Sequence, residues 1–525
     1  MGRLDVYDTT LRDGSQMEGL SYTVTDKLVV AGHLDDLGVG FIEGGWPGSN
    51  PKDAEFFARA QNELSLTTAQ LAAFGATRRA TMTAADDPQV AALRESGAPV
   101  VTLVAKSHTG HVERALRTTL AENLGMVRDT VAHLVAEGQR VFLDAEHFFD
   151  GFFLDKAYAL SVLSTAAEAG ASVVVLCDTN GGMLPGQVAD VVGEVVASVV
   201  RVGMHAHDDT ACAVANSLAA IDAGATHVQG TANGYGERCG NANIFSIVAD
   251  LELKKGRQVL PAGHLAELGR VAHAIAELAN KTPDAHQPYV GTAAFAHKAG
   301  LHVSAIKVDP DMYQHTDPAL VGNDMRLLVS ELAGRATVQM KGRDMGLAVD
   351  RETSARVVDK VKQREAEGWS YEAAEASFEL LLREEVTGER ASWFDVESWR
   401  VIVESREDGR VVSEATVKLH AGGERIVATG EGNGPVNALD TALRQALSGL
   451  YPRLAKLDLV DFKVRIVEGS HGTGAVTRVL VSMSDGDRDW DTVGVHENIV
   501  AASWTALVDA VTYGLLHEPQ VVAAG

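Results

Sequence analysis

The fold is decided near the start of the chain by the stretch Val6-Tyr7-Asp8-Thr9-Thr10-Leu11-Arg12-Asp13-Gly14-Ser15-Gln16. Its first residues predict a short buried strand, which ends near Thr9 and Thr10 because Arg12-Asp13-Gly14 cannot remain in one. In a barrel of parallel strands, the point where a strand opens into a loop is the catalytic rim. A carboxylate there can hold a hard cation, and a guanidinium can stabilise negative charge on a substrate oxygen. A salt bridge at the strand end is an equally good interpretation of this stretch taken alone.

Composition limits the classes of protein to which the chain can belong. Its 525 residues suffice for about two or three domains, and 46% are hydrophobic, as in soluble globular proteins. We find no apolar run of about 18 residues and no secretory signal, so we expect no membrane partner. The formal net charge of −25 disfavours nucleic acid, and a polyanionic cofactor would need a local basic cluster. Three widely spaced cysteines, Cys177, Cys212 and Cys239, favour a reducing cytoplasm.

Short apolar runs alternate with amphipathic stretches over the first 280 residues. The pattern predicts eight strands, at residues 4–7, 41–43, 80–82, 100–104, 140–144, 172–177, 201–205 and 227–230. Helices are predicted between them, including one continuous helix over residues 112–136. This length and rhythm indicate an α/β protein with a (β/α)8 TIM barrel. A doubly wound open sheet is disfavoured because no GxGxxG follows the first strand.

Polar and ionisable residues recur where the predicted strands end. Six loops carry them, and their principal residues are Glu43, Trp46, Lys106, His108, His111, Asp144, Glu146, His147, Asp178, Thr179, Asn180, His205, His207, Asp208, Asp209 and the run from Asn233 to Asn241. One such loop means little. Six that converge on the same face of a barrel predict an active site within a catalytic domain over residues 1–280.

Residues 281–395 change character. Four prolines break the early part, and helical patterns follow, so we expect a mostly helical connector rather than a second barrel. It precedes a strand-rich region over residues 396–525.

The strand-rich region repeats itself with an offset of 64 residues. At this offset Gly430 aligns with Gly494, and the alanines of one predicted helix align with those of the other. The run Val401-Ile402-Val403-Glu404 likewise aligns with Arg465-Ile466-Val467-Glu468. Two copies of a βββα unit predict a pseudo-symmetric α+β domain. With little catalytic residue chemistry, it is more plausibly a sensor or dimerisation module than a second catalytic centre.

The firmest metal signal is His205-Ala206-His207, since residues i and i+2 of a strand share a face and both imidazoles can reach one ion. Asp13 and Asn241 complete a mixed nitrogen and oxygen set that suits Mg²⁺, Mn²⁺ or Zn²⁺. Asp208 and Asp209 are weaker candidates. The alternative is a pair of buried histidines bonded to the backbone.

Four further ionisable residues are candidates for the active site: Glu146, Glu237, His302 and Tyr313. A lone Glu or Tyr is usually structural or solvated, but Glu237 lies in a glycine-rich loop beside Arg238. His302 lies outside the barrel, so the connector would have to deliver it, and a partner chain is the expected donor. The loop Gly430-Glu431-Gly432-Asn433-Gly434-Pro435 lacks the lysine of a P-loop, and a plain turn explains it.

Three ordered motifs resemble the signatures of the DRE-TIM metallolyases, which include the isopropylmalate, homocitrate and citramalate synthases. They are Asp8 to Gln16, His205 to Asp209, and Gly234 to Asn241. Phe295 to His302 resembles the connector motif of the synthases, and the duplicated tail resembles their regulatory domain. The stretch Ile42 to Asp53 is similar to a citramalate synthase subgroup. The chain departs from the usual pattern at Asp208-Asp209, often Asn-Asp, and at Val303-Ser304, which is Gln-Asp in isopropylmalate synthases.

The resemblance implies condensation of acetyl-CoA with pyruvate and water to (R)-citramalate and CoA, feedback by isoleucine, and a homodimer. It also implies roles: Asp13, His205, His207 and Asn241 hold a divalent metal, Glu146 and Thr179 position the keto acid with Arg12 and Asp13, and Arg12 stabilises the alkoxide. His302 with Tyr313 is the expected enolising base, assisted by Glu237.

Three alternatives stay open at this stage. The same chemistry could serve another 2-keto acid, as in an isopropylmalate or homocitrate synthase, because one methylene gives only about 1–3 kcal/mol of discrimination. A metal-dependent retro-aldol lyase shares the fold, although such lyases usually lack a duplicated tail. A non-enzymatic amino-acid sensor is the third, and the intact ligand set argues against it.

Overall fold

The computed structural model describes residues 4–198, 201–467 and 469–517. It divides into two compact units, which are described separately. The first comprises Met1–Phe295 with Thr316–Asp324, and the second comprises Ala296–His315 with Met325–Gly525.

The first unit contains a closed barrel of eight parallel strands, which confirms the predicted TIM barrel. They are β1 (Asp5–Asp8), β2 (Phe41–Gly45), β3 (Gln70–Ala76), β4 (Val100–Lys106), β5 (Arg140–Glu146), β6 (Val173–Asp178), β7 (Val202–Ala206) and β8 (His227–Gly230). The prediction of the third strand at residues 80–82 is wrong. The true β3 is rich in alanine and glycine, which have weak strand propensity, and pairing with β2 and β4 imposes its conformation.

Eleven α-helices accompany the strands among the described residues of this unit. They are α1 (Val24–Leu37), α2 (Pro51–Glu63), α3 (Pro88–Glu95), α4 (Thr109–Arg114), α5 (Leu120–Ala136), α6 (Phe148–Leu154), α7 (Lys156–Glu168), α8 (Pro185–Val196), α9 (Ala213–Asp222), α10 (Ile244–Leu253) and α11 (Leu268–Leu278). The predicted single helix over residues 112–136 is therefore two helices. Arg117 adopts a left-handed φ of 54° between them, and Thr119 caps α5 by accepting from the Glu122 amide.

Aromatic side chains fill the interior of the barrel. The rings of Tyr7, Phe41 and Phe142 pack with centroids 5.2 to 6.1 Å apart, and buried His227 lies 5.1 Å from Phe142. The barrel is thus a packed core rather than a pore, and ligand chemistry is confined to its carboxyl-terminal mouth.

The second unit begins with a connector of short strands and helices. These are β9 (Ala296–His297), α12 (Gly300–Ile306), β10 (Arg326–Leu327), α13 (Arg335–Asp344), α14 (Arg351–Ala366) and α15 (Glu375–Thr387). Its small core includes Val338, Val357, Tyr371 and Phe378, contributed mainly by the last three helices. The mostly helical prediction therefore describes this region correctly.

The end of the chain folds as two consecutive βββα units, as the internal repeat predicts. The first is β11 (Phe394–Ser405), β12 (Val411–Ala421), β13 (Glu424–Gly432) and α16 (Pro435–Leu447); the second is β14 (Asp458–Ile466), β15 (Thr477–Ser484), β16 (Asp489–His496) and α17 (Ile499–Leu516). Each unit forms its own antiparallel three-stranded sheet, and the two helices share one hydrophobic core.

The repeat differs from the sequence alignment in its first strand. Val401 pairs with Ala415, and Val464 pairs with Val479, so the first strands correspond with an offset of 63 rather than 64. Both strands carry a register shift near their start, between Val396 and Ser398 and between Leu459 and Asp461. The alignment of Val401 with Arg465 is therefore wrong by one residue, and Glu468 lies outside the described residues.

The repeated glycines mark where strand and helix approach most closely. A Cβ on Gly430 would lie 2.5 Å from the Ala442 nitrogen, and one on Gly494 would lie 2.0 Å from the Ala502 oxygen. The alanines on both helices serve the same close packing. Among the described helices, α17 is long and apolar enough to cross a membrane, but 61% of it is buried, as expected for a core helix.

Candidate active site

Arg12 is held at the barrel mouth by two carboxylates. Its Nε donates to Glu43 Oε1 at 2.5 Å, and its Nη1 lies 3.2 Å from Asp13 Oδ2. The guanidinium carbon lies 3.8 Å from the centroid of the Phe74 ring. Burial disfavours the charge of Arg12, but Glu43 and Asp13 outweigh it and raise the pKa further. Arg12 is therefore a fixed, permanent cation at the edge of the cavity.

Glu43 is named in the sequence analysis only as a loop residue, without a role, and the structure places it in contact with Arg12. Its side chain is fully buried on β2 and accepts from Tyr7 Oη at 2.5 Å and from Thr9 Oγ1 at 2.6 Å, in addition to Arg12. A carboxylate this deep is stable because it is paired and hydrogen-bonded. The signal in the sequence is an acidic residue directly after the buried run Phe41-Ile42.

Asp13, His205 and His207 form the cluster that could hold a metal ion. Their ligand atoms all lie within 4.8 Å of one another, and all three residues are buried. His205 Nε2 is 3.4 Å from Asp13 Oδ2, while its Nδ1 contacts Gln229 Oε1 at 2.7 Å. Gln229 in turn donates to Asp144 at 2.9 Å. This chain of contacts fixes the imidazole so that Nε2 faces the cluster.

Unpartnered atoms indicate that the cluster is shaped for a cation. Among the described residues, His207 Nδ1 and Asn241 Oδ1 are buried without a hydrogen-bond partner. Asn241 lies opposite His207 in an isolated β-bridge. The Nδ2 of Asn241 donates to the backbone carbonyl oxygen of Tyr235 at 3.0 Å. Two imidazole nitrogens, one carboxylate and one amide oxygen form a donor set that divalent ions accept. The residues present therefore fit a metal.

The electrostatics of the cluster keep Asp13 ionised and His207 neutral. Burial alone would raise the pKa of Asp13, but Arg12, His205 and His207 lower it to about 2. Burial, reinforced by His205, lowers the pKa of His207 to about 4. A carboxylate and a neutral imidazole are the forms that bind metal ions. Farther in, burial and then Glu43 raise the pKa of Asp144 to about 7.

A cavity of about 280 Å³ opens beside this cluster. Its polar lining includes Arg12, Asp13, Glu146, Thr179, His205, His207, Glu237 and Arg238, and its apolar lining includes Trp46, Phe74 and Val104. Most of the predicted site residues thus come together at one mouth.

The other predicted site residues of the barrel, Glu146, Thr179 and Glu237, differ in their polar contacts. Glu146, at the end of β5, is paired with Lys106 at the end of β4. Thr179 Oγ1 accepts from the His147 amide at 2.8 Å. Glu237 is exposed, and its nearest cation is Arg238 at 3.8 Å.

His302 and Tyr313 belong to the second unit. Their rings stack with centroids 4.2 Å apart and an interplanar angle of 25°. His302 is half-buried on α12 and Tyr313 is 42% exposed. The structure thus pairs these two residues with each other, as the sequence analysis grouped them.

Arg238 is a second loop residue to which the sequence analysis gives no role. It has a left-handed φ of 56° in the loop after β8. Its Nε donates to Asp209 Oδ1 and its Nη2 to the Thr179 carbonyl oxygen, both at 2.8 Å. One side chain therefore connects three loops around the cavity. Nothing in the local sequence distinguishes it from a solvated arginine.

Residues 3–275 match the family described as HMGL-like. Residues 289–368 match the domain described as homocitrate synthase post-HMGL domain-like, and residues 372–515 match the LeuA allosteric (dimerisation) domain.

Two relatives that cover nearly the whole chain share the name (R)-citramalate synthase. A protein from Streptomyces coelicolor named (R)-citramalate synthase is 67% identical over 515 residues, covering 98% of this chain and 96% of the relative. A protein of the same name from Synechocystis is 47% identical, covering 97% and 96%. Among solved structures, an HMG-CoA lyase from Bacillus subtilis is 21% identical with a TM-score of 0.46, covering 53% of this chain and 94% of that one.

Proposed function

The chain belongs to the HMGL-like family, and we propose from this premise that its barrel mouth joins acetyl-CoA to pyruvate, as the name of its (R)-citramalate synthase relatives implies. The enzyme is an acyltransferase that gives (R)-citramalate and CoA, with hydrolysis of the thioester by water. The observation that carries this function is the convergence of Arg12, Asp13, His205 and His207 on one small cavity of a chain in this family.

Asp13, His205, His207 and Asn241 are the proposed ligands of a divalent ion, Mg²⁺ or Mn²⁺, with Zn²⁺ as the third choice. Such an ion supplies Lewis acidity that polarises the keto group of the substrate. The chain's own contribution is to keep Asp13 ionised and His207 neutral and to orient His205 through Gln229.

Residues around the metal cluster orient the substrate. Thr179 and Glu146 line the cavity at the ends of neighbouring strands and position the keto acid. Trp46, Phe74 and Val104 supply an apolar wall of limited size, which suits the methyl group of pyruvate. When the new carbon–carbon bond forms, Arg12 stabilises the negative charge on the former keto oxygen.

A base must remove a proton from the acetyl methyl group. We assign this step to His302 of a partner chain, delivered by the connector with Tyr313 stacked on it, and give Glu237 an assisting role at the cavity edge. In this arrangement the imidazole of His302 accepts the proton, and the resulting enolate attacks the keto carbon.

The wider organisation is proposed on the same basis. Residues 1–280 form the catalytic domain, residues 281–395 the connector, and residues 396–525 a regulatory and dimerisation domain of a cytoplasmic homodimer. Isoleucine is the proposed feedback effector, because a branched amino acid that lies downstream is a sensible signal to a tail matched to an allosteric domain.

The test of the proposed function is CoA thiol release by the purified protein. The assay contains acetyl-CoA, Mg²⁺ or Mn²⁺, and one acid from a panel of pyruvate, 2-ketobutyrate, 2-ketoisovalerate and 2-ketoglutarate. Fast release with pyruvate, abolished by a chelator, is expected. Preference for 2-ketoisovalerate would contradict the proposed substrate, and no release with any acid would contradict the condensation.

A further inference from the structure

A basic segment follows β4 at the mouth of the barrel, although the chain as a whole is strongly acidic. Residues 106–117 contain Lys106, Arg114 and Arg117 against one carboxylate, Glu113, whereas the whole chain has a formal net charge of −25. Arg114 and Arg117 are exposed. Within the described parts of the chain, Arg114 donates to the Gly110 carbonyl oxygen of its own helix, and neither arginine is paired with a carboxylate. Both guanidinium groups are therefore available to an anion.

The basic segment starts within the catalytic rim. Lys106 is the last residue of β4, and its ammonium group is paired with Glu146, which lines the cavity. The Arg114 guanidinium then folds back over Gly110, where a Cβ would lie 2.6 Å from Arg114 Nη2 and 3.2 Å from His108 Cε1. Arg114 and His108 consequently lie side by side on the segment that begins at Lys106.

Three histidine rings connect the basic segment with the cavity. The centroids of His108 and His111 are 4.6 Å apart, and those of His111 and His147 are 4.2 Å apart. The backbone of His147 donates to Thr179, which lines the cavity. A continuous row of imidazoles therefore leads outward from Thr179 to Arg114.

Two ring nitrogens of this row lack hydrogen-bond partners within the part of the chain that the structure describes. Among the described residues, His108 Nδ1 and His147 Nδ1 are buried without a hydrogen-bond partner, and the carboxylate nearest to His147 Nδ1 is Asp150 at 3.6 Å. Burial lowers the pKa of His111, and the charges of His147 and His108 lower it further; burial also lowers the pKa of His147. Both imidazoles are therefore neutral at neutral pH and act as polar groups rather than as cations, so the positive charge of the segment resides on its arginines. A polar ligand would supply partners for the unpartnered nitrogens.

We propose that residues 106–117 bind the phosphate groups of the acyl-CoA substrate, with Arg114 and Arg117 on the nucleotide phosphates and the histidine row along the thioester arm. The inference rests on the proposed function, since a thioester carried by a polyanion is what this chain must bind. Arginine suits the task because its planar guanidinium binds phosphate oxygens in bidentate fashion. The basic segment also explains how an acidic protein binds a polyanion at its active site.

The experiment compares wild type with the double variant Arg114→Gln/Arg117→Gln and uses two acetyl donors. With acetyl-CoA, KM for the donor should rise roughly 10- to 100-fold, because hydrogen bonds to charged groups are lost, while KM for pyruvate stays unchanged. With S-acetyl-N-acetylcysteamine, which lacks the nucleotide and its phosphates, the variant should equal wild type. Calorimetric titration of 3′,5′-ADP should show weaker binding to the variant.

The matched control is Arg128→Gln, which removes an exposed arginine from α5 outside the basic segment. It should leave KM for acetyl-CoA within about twofold of wild type. An unchanged KM for acetyl-CoA in the double variant would overturn the inference while leaving the proposed function intact. Equal losses with both donors would also overturn it, since they would indicate general damage. An inactive wild type would instead count against the proposed function, and the ADP titration would then decide the inference alone.

Discussion

At the scale of single residues, Arg12 joins the sequence motif to the proposed chemistry. It is partly buried, charged and oriented by Glu43 and Asp13, so its guanidinium reaches the cavity without having to be ordered during the reaction. Preorganised charge of this kind is the largest single contribution in many enzymes. A lysine at this position would keep the charge but lose the planar fork that bonds Glu43 while facing substrate.

Arg12→Lys should therefore keep the fold and lose most of the rate. We expect kcat to fall about 100-fold or more, in line with removal of one well-placed donor, with a smaller change in KM for pyruvate. Steady-state kinetics with acetyl-CoA and pyruvate measure the effect, and an unchanged melting temperature serves as the control. Full activity in this variant would remove Arg12 from the proposed mechanism.

Sequence reasoning at this scale brings residues together where residue type and spacing carry the chemistry, and their roles as ligands stay a prediction. Asp13, His205 and His207 are predicted as ligands and do lie within 4.8 Å of one another. Glu43 and Arg238 are named among the loop residues without a role, because their contacts are with neighbours distant in sequence. Glu43 accepts from the hydroxyl of Tyr7, which also contacts the hydroxyl of Thr102. The hydrogen-bond partners of Arg238 lie 29 and 59 residues away along the chain.

At the scale of elements, the two faces of the barrel have different tasks. The mouth holds the candidate site, whereas the opposite face carries a cluster around Asp5, at the start of β1. Asp5 Oδ2 accepts from Arg201 Nη2 at 2.8 Å and lies 3.6 Å from Arg140 Nη2. Charge pairing at this face serves stability rather than catalysis. Burial opposes ionisation of Asp5, but His227 and Arg201 outweigh it and lower the pKa to about 2.

Asp5→Asn should therefore destabilise the protein without changing kcat/KM. A lowered carboxylate pKa contributes stability above the unfolded value near 3.8, and that contribution is lost as pH falls towards 2. We expect a loss of about 1–2 kcal/mol at pH 7. Denaturant unfolding of both proteins at pH 7 and near pH 3 measures it. A difference that stays constant over this range would show that the charge of Asp5 is not responsible.

Sequence patterns predict elements well when local propensity and tertiary pairing agree. The β-branched strands β4 and β6 are found within two residues of the structure, whereas β3, with Ala72, Ala73 and Gly75, carries no such signal. The helix predicted over residues 112–136 fails for a different reason. Helical periodicity continues through Arg117, and the left-handed turn there leaves no glycine or proline as a marker.

At the scale of the whole molecule, the duplicated tail exposes apolar side chains on its outermost strands. On β11, Ile402 and Val403 are 52% and 54% exposed, and on β14, Val460 and Ile466 are both 56% exposed. Exposed apolar residues on edge strands are typical of surfaces that associate. This fits the match of residues 372–515 to an allosteric (dimerisation) domain.

Replacement of two of these residues should weaken self-association. We expect wild type to sediment as a dimer and Ile402→Lys/Val460→Lys to shift towards monomer, because buried lysines without partners disfavour an interface. Sedimentation velocity over a range of concentrations measures the shift. The double variant Glu404→Lys/Asp458→Lys, at exposed polar positions of the same strands, is the control for added charge. A variant as dimeric as wild type would place the interface elsewhere.

The repeat itself was predictable because a duplicated sequence preserves glycines and alanines where strand and helix touch, at Gly430 and Gly494. The register of its first strand was not, since a bulge in β11 and in β14 leaves no trace in residue type. Nor does one sequence fix how loops from different strands shape a cavity.

The most direct test of the account follows the acetyl carbon into the product. Acetyl-CoA labelled with ¹³C at the methyl carbon is incubated with unlabelled pyruvate, Mg²⁺ and the enzyme, and the product is examined by NMR and chiral chromatography. The account predicts (R)-citramalate with the label in its methylene carbon and release of one CoA per product. Labelled acetate alone, with pyruvate unconsumed, would show simple thioester hydrolysis and contradict the proposed condensation.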